Sequence, residues 1–275
     1  MVKEEGGGKE RSILEHLDEL RMRLIRIFIV VGFLTIFFFM FRIRKAEFYN
    51  HIAYYYPYPE IFNSIAADFL RKLQQDLLPE GVRLIQTTPA EAITAILYVS
   101  IFLGIVFGMP VIVYEVISFI APGLYPHEKK LIIKLILPST ILFIAGCVFS
   151  YYVLIPFIIF FLYRYGFALQ IATFLTIESF MSFVIFFLVS FGLAFQLPII
   201  MIVLSSLGIV EPKTWREYLR IAIFAFFVFG AIITPDGSGI TMCIVALPLI
   251  ILYLLGCVLS VKGFSLLPKS REEKA

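Results

Sequence analysis

AITAILYVSIFLGIVFGMPVIVYEVISFI, residues 92–120, carries a single charged side chain, Glu115. Its apolar residues arrive as a block, without the period of 2 or 3.6 that leaves one face polar, so a helix built from it needs apolar surroundings on every side. About 20 such residues at a rise of about 1.5 Å cross roughly 30 Å of hydrocarbon, and this run is long enough. Working outward, comparable runs stand at 24–41, 135–156, 180–207, 221–234 and 240–261, giving six spans. The chain of 275 residues is 60% hydrophobic and 16% charged, with mean hydropathy +0.95, which no soluble domain can bury. The expected fold is an all-α membrane protein with one six-helix transmembrane domain over 12–261, an N-tail at 1–11 and a C-tail at 262–275.

An even number of spans puts both termini on one side. Sixteen of the 23 Lys and Arg fall in the tails and the 129–134 and 213–220 loops. The other side has seven, six of them in the long 42–88 loop, so the positive-inside rule predicts cytoplasmic termini. A formal charge of +3 gives no electrostatic case for nucleic acid as a partner. The N-terminus lacks the basic stub, apolar core and small-residue site of a cleavable signal.

The loops have their own patterns. Within 42–88, Ile61, Ile65, Phe69 and Leu73, joined by Phe62, Leu70 and Leu77, recur at helical spacing until Pro79 and Gly81, predicting an external amphipathic helix. Tyr54, Tyr55, Tyr56 and Tyr58, interleaved with Pro57 and Pro59, suit headgroup depth, where a ring is buried and its hydroxyl stays wet. Apolar residues 157–163 beyond the third span are too few for another crossing and are expected as an interfacial extension. The fifth run reaches only about 21 Å as a helix, so either Tyr218 and Leu219 extend it or the bilayer thins locally.

The polar residues decide the chemistry. Ser12 and Glu15 form an S-x-x-E capping box, and Ile13, Leu17, Leu20 and Leu24 share one face, predicting a helix along the inner interface before the first span. On it Glu19 projects away from the apolar face, flanked by Arg21 and Arg23. Spacing alone favours a solvated face with a Glu19–Arg23 pair at i, i+4. Residues 119–130, FIAPGLYPHEKK, form a turn-rich loop with one acid, Glu128, beside two lysines. Gln196 lies deep in an apolar run next to Pro198 and needs a partner: an interhelical hydrogen bond or an inserted helix or ligand. Glu115 is expected to snorkel or to pair with a basic loop residue. Thr234-Pro235-Asp236-Gly237 has turn chemistry, and Thr87 to Glu91 reads as a helix N-terminal cap.

Enzymatic templates fail: there is no H-E-x-x-H, G-x-S-x-G or P-loop, and His16, His51 and His127 lie outside the spans. Cys147, Cys243 and Cys257 sit in apolar runs, odd in number, and suggest neither disulfides nor a metal site. No cofactor is expected. A secondary transporter using Gln196, Glu115 and kinked helices as a midplane site is the alternative reading.

Five blocks in register resemble one family. EHLDELRMRL at 15–24, TPAEA at 88–92, the 119–130 loop, GLAFQLP at 192–198 and TPD at 234–236 are similar to the TatC family, the signal-receptor subunit of the twin-arginine protein translocase. The resemblance implies a glove-shaped six-helix bundle that binds twin-arginine signal peptides and works with single-span subunits of the TatA/TatB type to export folded proteins. It implies a bilayer-embedded complex in the cell membrane, with more than one copy of this chain in the assembly. By motif position Glu19 and Glu128 receive the arginine pair, Phe119, Pro122 and Leu124 shape the site, and His16 and Arg21 wall it. Gln196 meets the signal hairpin or a partner helix, and Asp236 is a functional acid. Gly237 and Ile240 depart from the family pattern around Asp236, and so do Glu115, where a neutral residue is common, and the long 42–88 loop.

Overall fold

The computed structural model describes residues 13–48, 52–79, 81–120, 129–168, 174–234 and 239–264. The 1–11 tail and the Ser12 half of the capping box lie outside these residues. The first helix, α1, runs unbroken over Ile13–Met40. The segment expected to lie along the interface is therefore the first turns of the first span. Polarity changes near Leu24, but no proline interrupts 13–40, so the backbone has no reason to break there. At about 1.5 Å per residue α1 is roughly 42 Å long, more than a hydrocarbon core needs, which lets its polar first turns emerge beyond the lipid.

A β-hairpin follows directly: β1 (Phe41–Phe48) pairs antiparallel with β2 (Ile52–Pro59), Phe41 opposite Pro59 and Phe48 opposite Ile52. The tyrosine–proline segment thus forms a strand. Pro57 and Pro59 are tolerated because a two-stranded ribbon leaves an unpaired edge on each strand. Glu60 fixes the hairpin base, accepting from Arg44 at 2.9 Å, Arg42 at 3.4 Å and Asn63 at 2.8 Å, while its N–H donates to Met40 O at 2.8 Å. The hydrogen bonds from Asn63 and Arg44 hold the Glu60 carboxyl below the usual carboxylate range.

The amphipathic helix expected in this loop is α2, Ile65–Leu77, capped by Ser64, whose Oγ accepts from Ala67 N–H. It starts later than its pattern suggests. Ile61 and Phe62 precede it, and Phe62 is 88% exposed. Leu70, Leu73 and Leu77 bury its apolar side against the bundle. The strand β3 (Arg83–Ile85) pairs in parallel with β4 (Phe174–Thr176), tying two loops on this side. The fold is all-α in its membrane core with two small sheets outside it.

The second span is α3, Glu91–Ile120, and the backbone N–H groups of Thr87 and Thr88 donate to the Glu91 carboxylate as a cap. The third comprises α4 (Lys129–Phe149), a π-helical turn (Ser150–Leu154) and α5 (Ile155–Ala168). Pro156 offers no N–H, and the wider turn before it reroutes the Ile155 N–H to Ser150 O. Residues 157–163 therefore continue the helix as part of α5, and from the π-helical turn Tyr151 OH donates to Asp76 on α2. The fourth span is two helices, α6 (Ile177–Ala194) and α7 (Leu197–Ser206), broken at Phe195 and Gln196 ahead of Pro198. After α8 (Pro212–Glu217) come the fifth span, α9 (Leu219–Ile233), and the sixth, α10 (Gly239–Phe264). Leu219 does extend the fifth helix, yet its 15 residues reach only about 22 Å.

Five segments, 15–40, 91–119, 134–164, 177–206 and 239–261, are long and apolar enough to cross a membrane, and α9 is a shorter apolar helix. The chain is a multi-pass membrane protein. Phe143, Phe187 and Phe191 fill the centre between α4 and α6. Their close packing relies on Gly146, where a Cβ would lie 2.5 Å from Phe191 O. On the far side, Trp215 Nε1 donates to Ser205 Oγ at 3.0 Å and Tyr253 OH to Trp215 O at 2.8 Å, binding α7, α8 and α10 together.

Candidate functional site

The register of α1 against α3 builds the polar site. A Cβ at Gly104 would meet Thr35 Oγ1 at 2.6 Å and Val31 O at 3.0 Å, and one at Gly108 would meet Val31 Cγ2 at 3.3 Å. These two glycines let the helices approach backbone to backbone, as small residues do in membranes. With the helices antiparallel and locked there, the polar turns of α1 fall opposite the last turns of α3.

At that end Glu19, Arg23, Arg26 and Glu115 form an ion cluster among the described residues. Arg23 Nη2 and Nε reach Glu19 Oε1 at 2.6 and 3.2 Å, and Arg23 Nη1 reaches Glu115 Oε2 at 3.0 Å. Arg26 Nη1 lies 3.4 Å from Glu115 Oε1. Side-chain exposure falls from 59% at Arg26 to 25% at Glu19, 18% at Arg23 and 6% at Glu115. Glu115 is thus a nearly buried carboxylate held by two guanidiniums, the arrangement that makes burial of such a charge affordable. It pairs with α1, not with a loop base, because α1 presents Arg23 and Arg26 to the same face of α3.

One turn further out, the His16 imidazole stacks on Phe119, centroids 4.5 Å apart and planes 12° inclined. The fold therefore brings together Glu19, His16 and Phe119 of the residues expected at the site. Arg21 is exposed on α1. Glu128, Pro122 and Leu124 lie outside the described residues, as does Asp236; the helix preceding Asp236 ends where buried Thr234 Oγ1 donates to Gly230 O. Arg23 and Glu115 are central to the observed geometry. The i, i+4 pair was legible for the first, and an acid inside an apolar run was the signal for the second.

Gln196 occupies the α6–α7 break and donates from Nε2 to Ser139 O on α4 at 3.1 Å. It also borders a cavity of about 270 Å³ lined by Met109, Val113, Ile117, Ile199 and Val203 among others. The cavity is apolar except where Gln196 and Ser139 reach its wall. Glu115 faces α1 and is absent from this lining, so the two polar residues do not form a common midplane site, and the small-solute transporter reading loses its geometry. Among the described residues no group of His, Cys, Asp and Glu could hold a metal ion.

Comparison with known proteins gives the family of the chain. The family described as Sec-independent protein translocase protein (TatC) matches residues 15–248. The Sec-independent protein translocase protein TatC of Cenarchaeum symbiosum is 40% identical, covering 90% of this chain and 93% of that protein. Its counterpart from Aquifex aeolicus is 34% identical over 88% of this chain and 91% of that protein. The crystal structure of a twin-arginine translocase receptor, TatC, superposes with a TM-score of 0.71 at 32% identity, covering 90% of this chain and 99% of the solved one. From matches that run nearly end to end in sequence and in structure, the chain belongs to the TatC family of Sec-independent protein translocase proteins.

Proposed function

We propose that this chain is the core receptor subunit of a twin-arginine translocase, acting by binding and not by catalysis, with Glu19 as an acceptor for the arginine pair of a signal peptide. The observation that carries this reading is the Glu19 carboxylate itself. It stands partly open at the end of the α1–α3 pair, beside the His16–Phe119 stack, and already accepts a two-nitrogen arginine contact. A planar guanidinium offers several donors in a fixed fork, and in a partly desolvated pocket a carboxylate rewards that geometry over a point-charge ammonium. In this reading Glu128 is the second acceptor, Pro122 and Leu124 shape the cleft with Phe119, and Arg21 contributes to its wall.

The apolar stretch of the signal would then lie as a helix against the bundle, and Gln196 with its cavity is the place where a signal hairpin or the helix of a TatA/TatB-type single-span subunit meets it. Asp236 is a functional acid on the opposite side. In this reading both termini lie in the cytoplasm, in keeping with the Lys and Arg bias of the loops, and the chain works in the cell membrane in more than one copy, as the family resemblance implies. The test is photo-cross-linking of a twin-arginine signal peptide to the full chain in native membranes. Glu19→Gln and Glu128→Gln are expected to reduce cross-linking by at least about tenfold, the order of one charge-assisted contact. Undiminished cross-linking in both variants defeats the reading.

A further inference from the structure

Arg23 occupies the same Glu19 oxygen that an incoming arginine would need, and Glu115 holds the other edge of that guanidinium. We infer that Glu115 is a positioning residue for signal recognition: it keeps Arg23 neutralised when a peptide arginine displaces it from Glu19, so that Glu19 can be released to the ligand. The inference rests on the reading of Glu19 as an arginine acceptor.

The argument is one of charge balance. Among the described residues the two carboxylates, Glu19 and Glu115, match the two guanidiniums, Arg23 and Arg26. When a peptide guanidinium takes Glu19, Arg23 gives up its 2.6 Å contact but retains the 3.0 Å contact to Glu115, and no buried cation is left without its counter-ion. Arg26 can yield its share of Glu115 at little cost, because it is 59% exposed and its 3.4 Å contact is the weakest of the set. With a neutral residue at 115, Glu19 would be the remaining carboxylate of this cluster, and Arg23 would compete for it against every ligand. The close approaches at Gly104 and Gly108 help to hold the helix register that sets Glu115 opposite Arg23.

The experiment is equilibrium binding of a fluorescent peptide with two adjacent arginines ahead of an apolar stretch to the purified full chain in lipid nanodiscs. A dilysine peptide serves as the comparison. Glu115→Gln is expected to weaken arginine-peptide binding by about tenfold, with Glu115→Asp restoring most of it. In an Arg23→Gln background the same Glu115→Gln change is expected to do almost nothing, since the competitor is gone; a carboxylate acting only by long-range attraction, or only by holding the fold, would matter in both backgrounds. Equal affinity of Glu115→Gln and the parent chain, or equal weakening with and without Arg23, overturns the inference. Glu19→Gln separates the two levels. If it leaves binding intact, the acceptor reading fails; if it abolishes binding while Glu115→Gln does not alter it, the positioning role alone fails. Should Glu115→Gln not give a monodisperse protein, the comparison is made between Glu115→Asp and Arg23→Lys: each moves one edge of the cluster, and the positioning role requires a smaller Glu115→Asp effect when Arg23 is Lys.

Discussion

His16 of α1 lies flat on Phe119 at the end of α3, 4.5 Å between ring centroids, so two segments far apart in the chain share one aromatic wall beside Glu19. An aromatic pair of this kind contributes about 0.5–1.5 kcal/mol beyond the area it buries. His16→Ala and Phe119→Ala are each expected to lower signal-peptide affinity by about three- to tenfold. His16→Phe keeps a stacked ring and should bind within about twofold of the parent. Peptide titrations of the three variants check this, and an Ala variant as tight as the parent would remove the wall from the site.

Gly104 sets the register on which the ion cluster depends. Its absent Cβ would fall 2.6 Å from the Thr35 hydroxyl and 3.0 Å from the Val31 carbonyl oxygen, so Gly104→Val must push α1 away from α3. Overpacking of this kind costs about 1–3 kcal/mol. The expected result is a lower thermal unfolding midpoint in detergent, with partial recovery when Thr35→Ala removes the nearer obstacle. The backbone oxygen remains in place, so full recovery is not expected. A Gly104→Val protein as stable as the parent would mean that the helices have room there.

Gln196 spends its amide on the Ser139 carbonyl while lying against an otherwise apolar cavity. Gln196→Leu removes a membrane hydrogen bond of about 0.6–2 kcal/mol but fills similar volume, so a modest fall in the unfolding midpoint is expected. If a partner helix docks at this cavity, Gln196→Leu also reduces co-purification of the single-span subunit, and a bulky Val113→Trp change does so without touching the amide. Unchanged co-purification in both variants places the docking surface elsewhere.

What the sequence made legible follows from how local each signal is. Five spans are written in long apolar blocks and α9 in a shorter one, and α2 in the periodicity of Ile65, Phe69, Leu73 and Leu77, because burial against lipid or against one neighbour is a property of the segment itself. The hairpin was hidden because Tyr54 to Pro59 carries prolines and aromatics that equally suit an interfacial belt, and strand pairing with Phe41 to Phe48 is a relation between segments. The unbroken α1 was hidden because a change in the polarity of the surroundings looks like a helix boundary. Glu19–Arg23 was readable as an i, i+4 pair, whereas the partner of Glu115 depends on where Gly104 meets Thr35 and Val31. No single segment encodes that meeting point.

Glu60 makes the hairpin base sensitive to acid. Hydrogen bonds from Asn63 and Arg44, and the charges of Arg44 and Arg42, favour its ionised form and set its carboxyl below the ordinary value of 4.5. A group whose folded pKa is depressed contributes stability above its unfolded pKa and loses it as pH falls through the folded one. The hairpin should therefore be firmly tied at neutral pH and loosen only below about pH 4.5. Hydrogen exchange of the amides in β1 and β2 measures this directly: protection is expected to be flat from pH 7 to about pH 5, after correction for intrinsic rates, and to fall below it. Glu60→Gln keeps a hydrogen-bond acceptor but removes the charge, so its protection should be lower at neutral pH and no longer change across the acid range. A parent and a Glu60→Gln chain with the same acid profile would show that the hairpin is held by its strand pairing and not by this carboxylate.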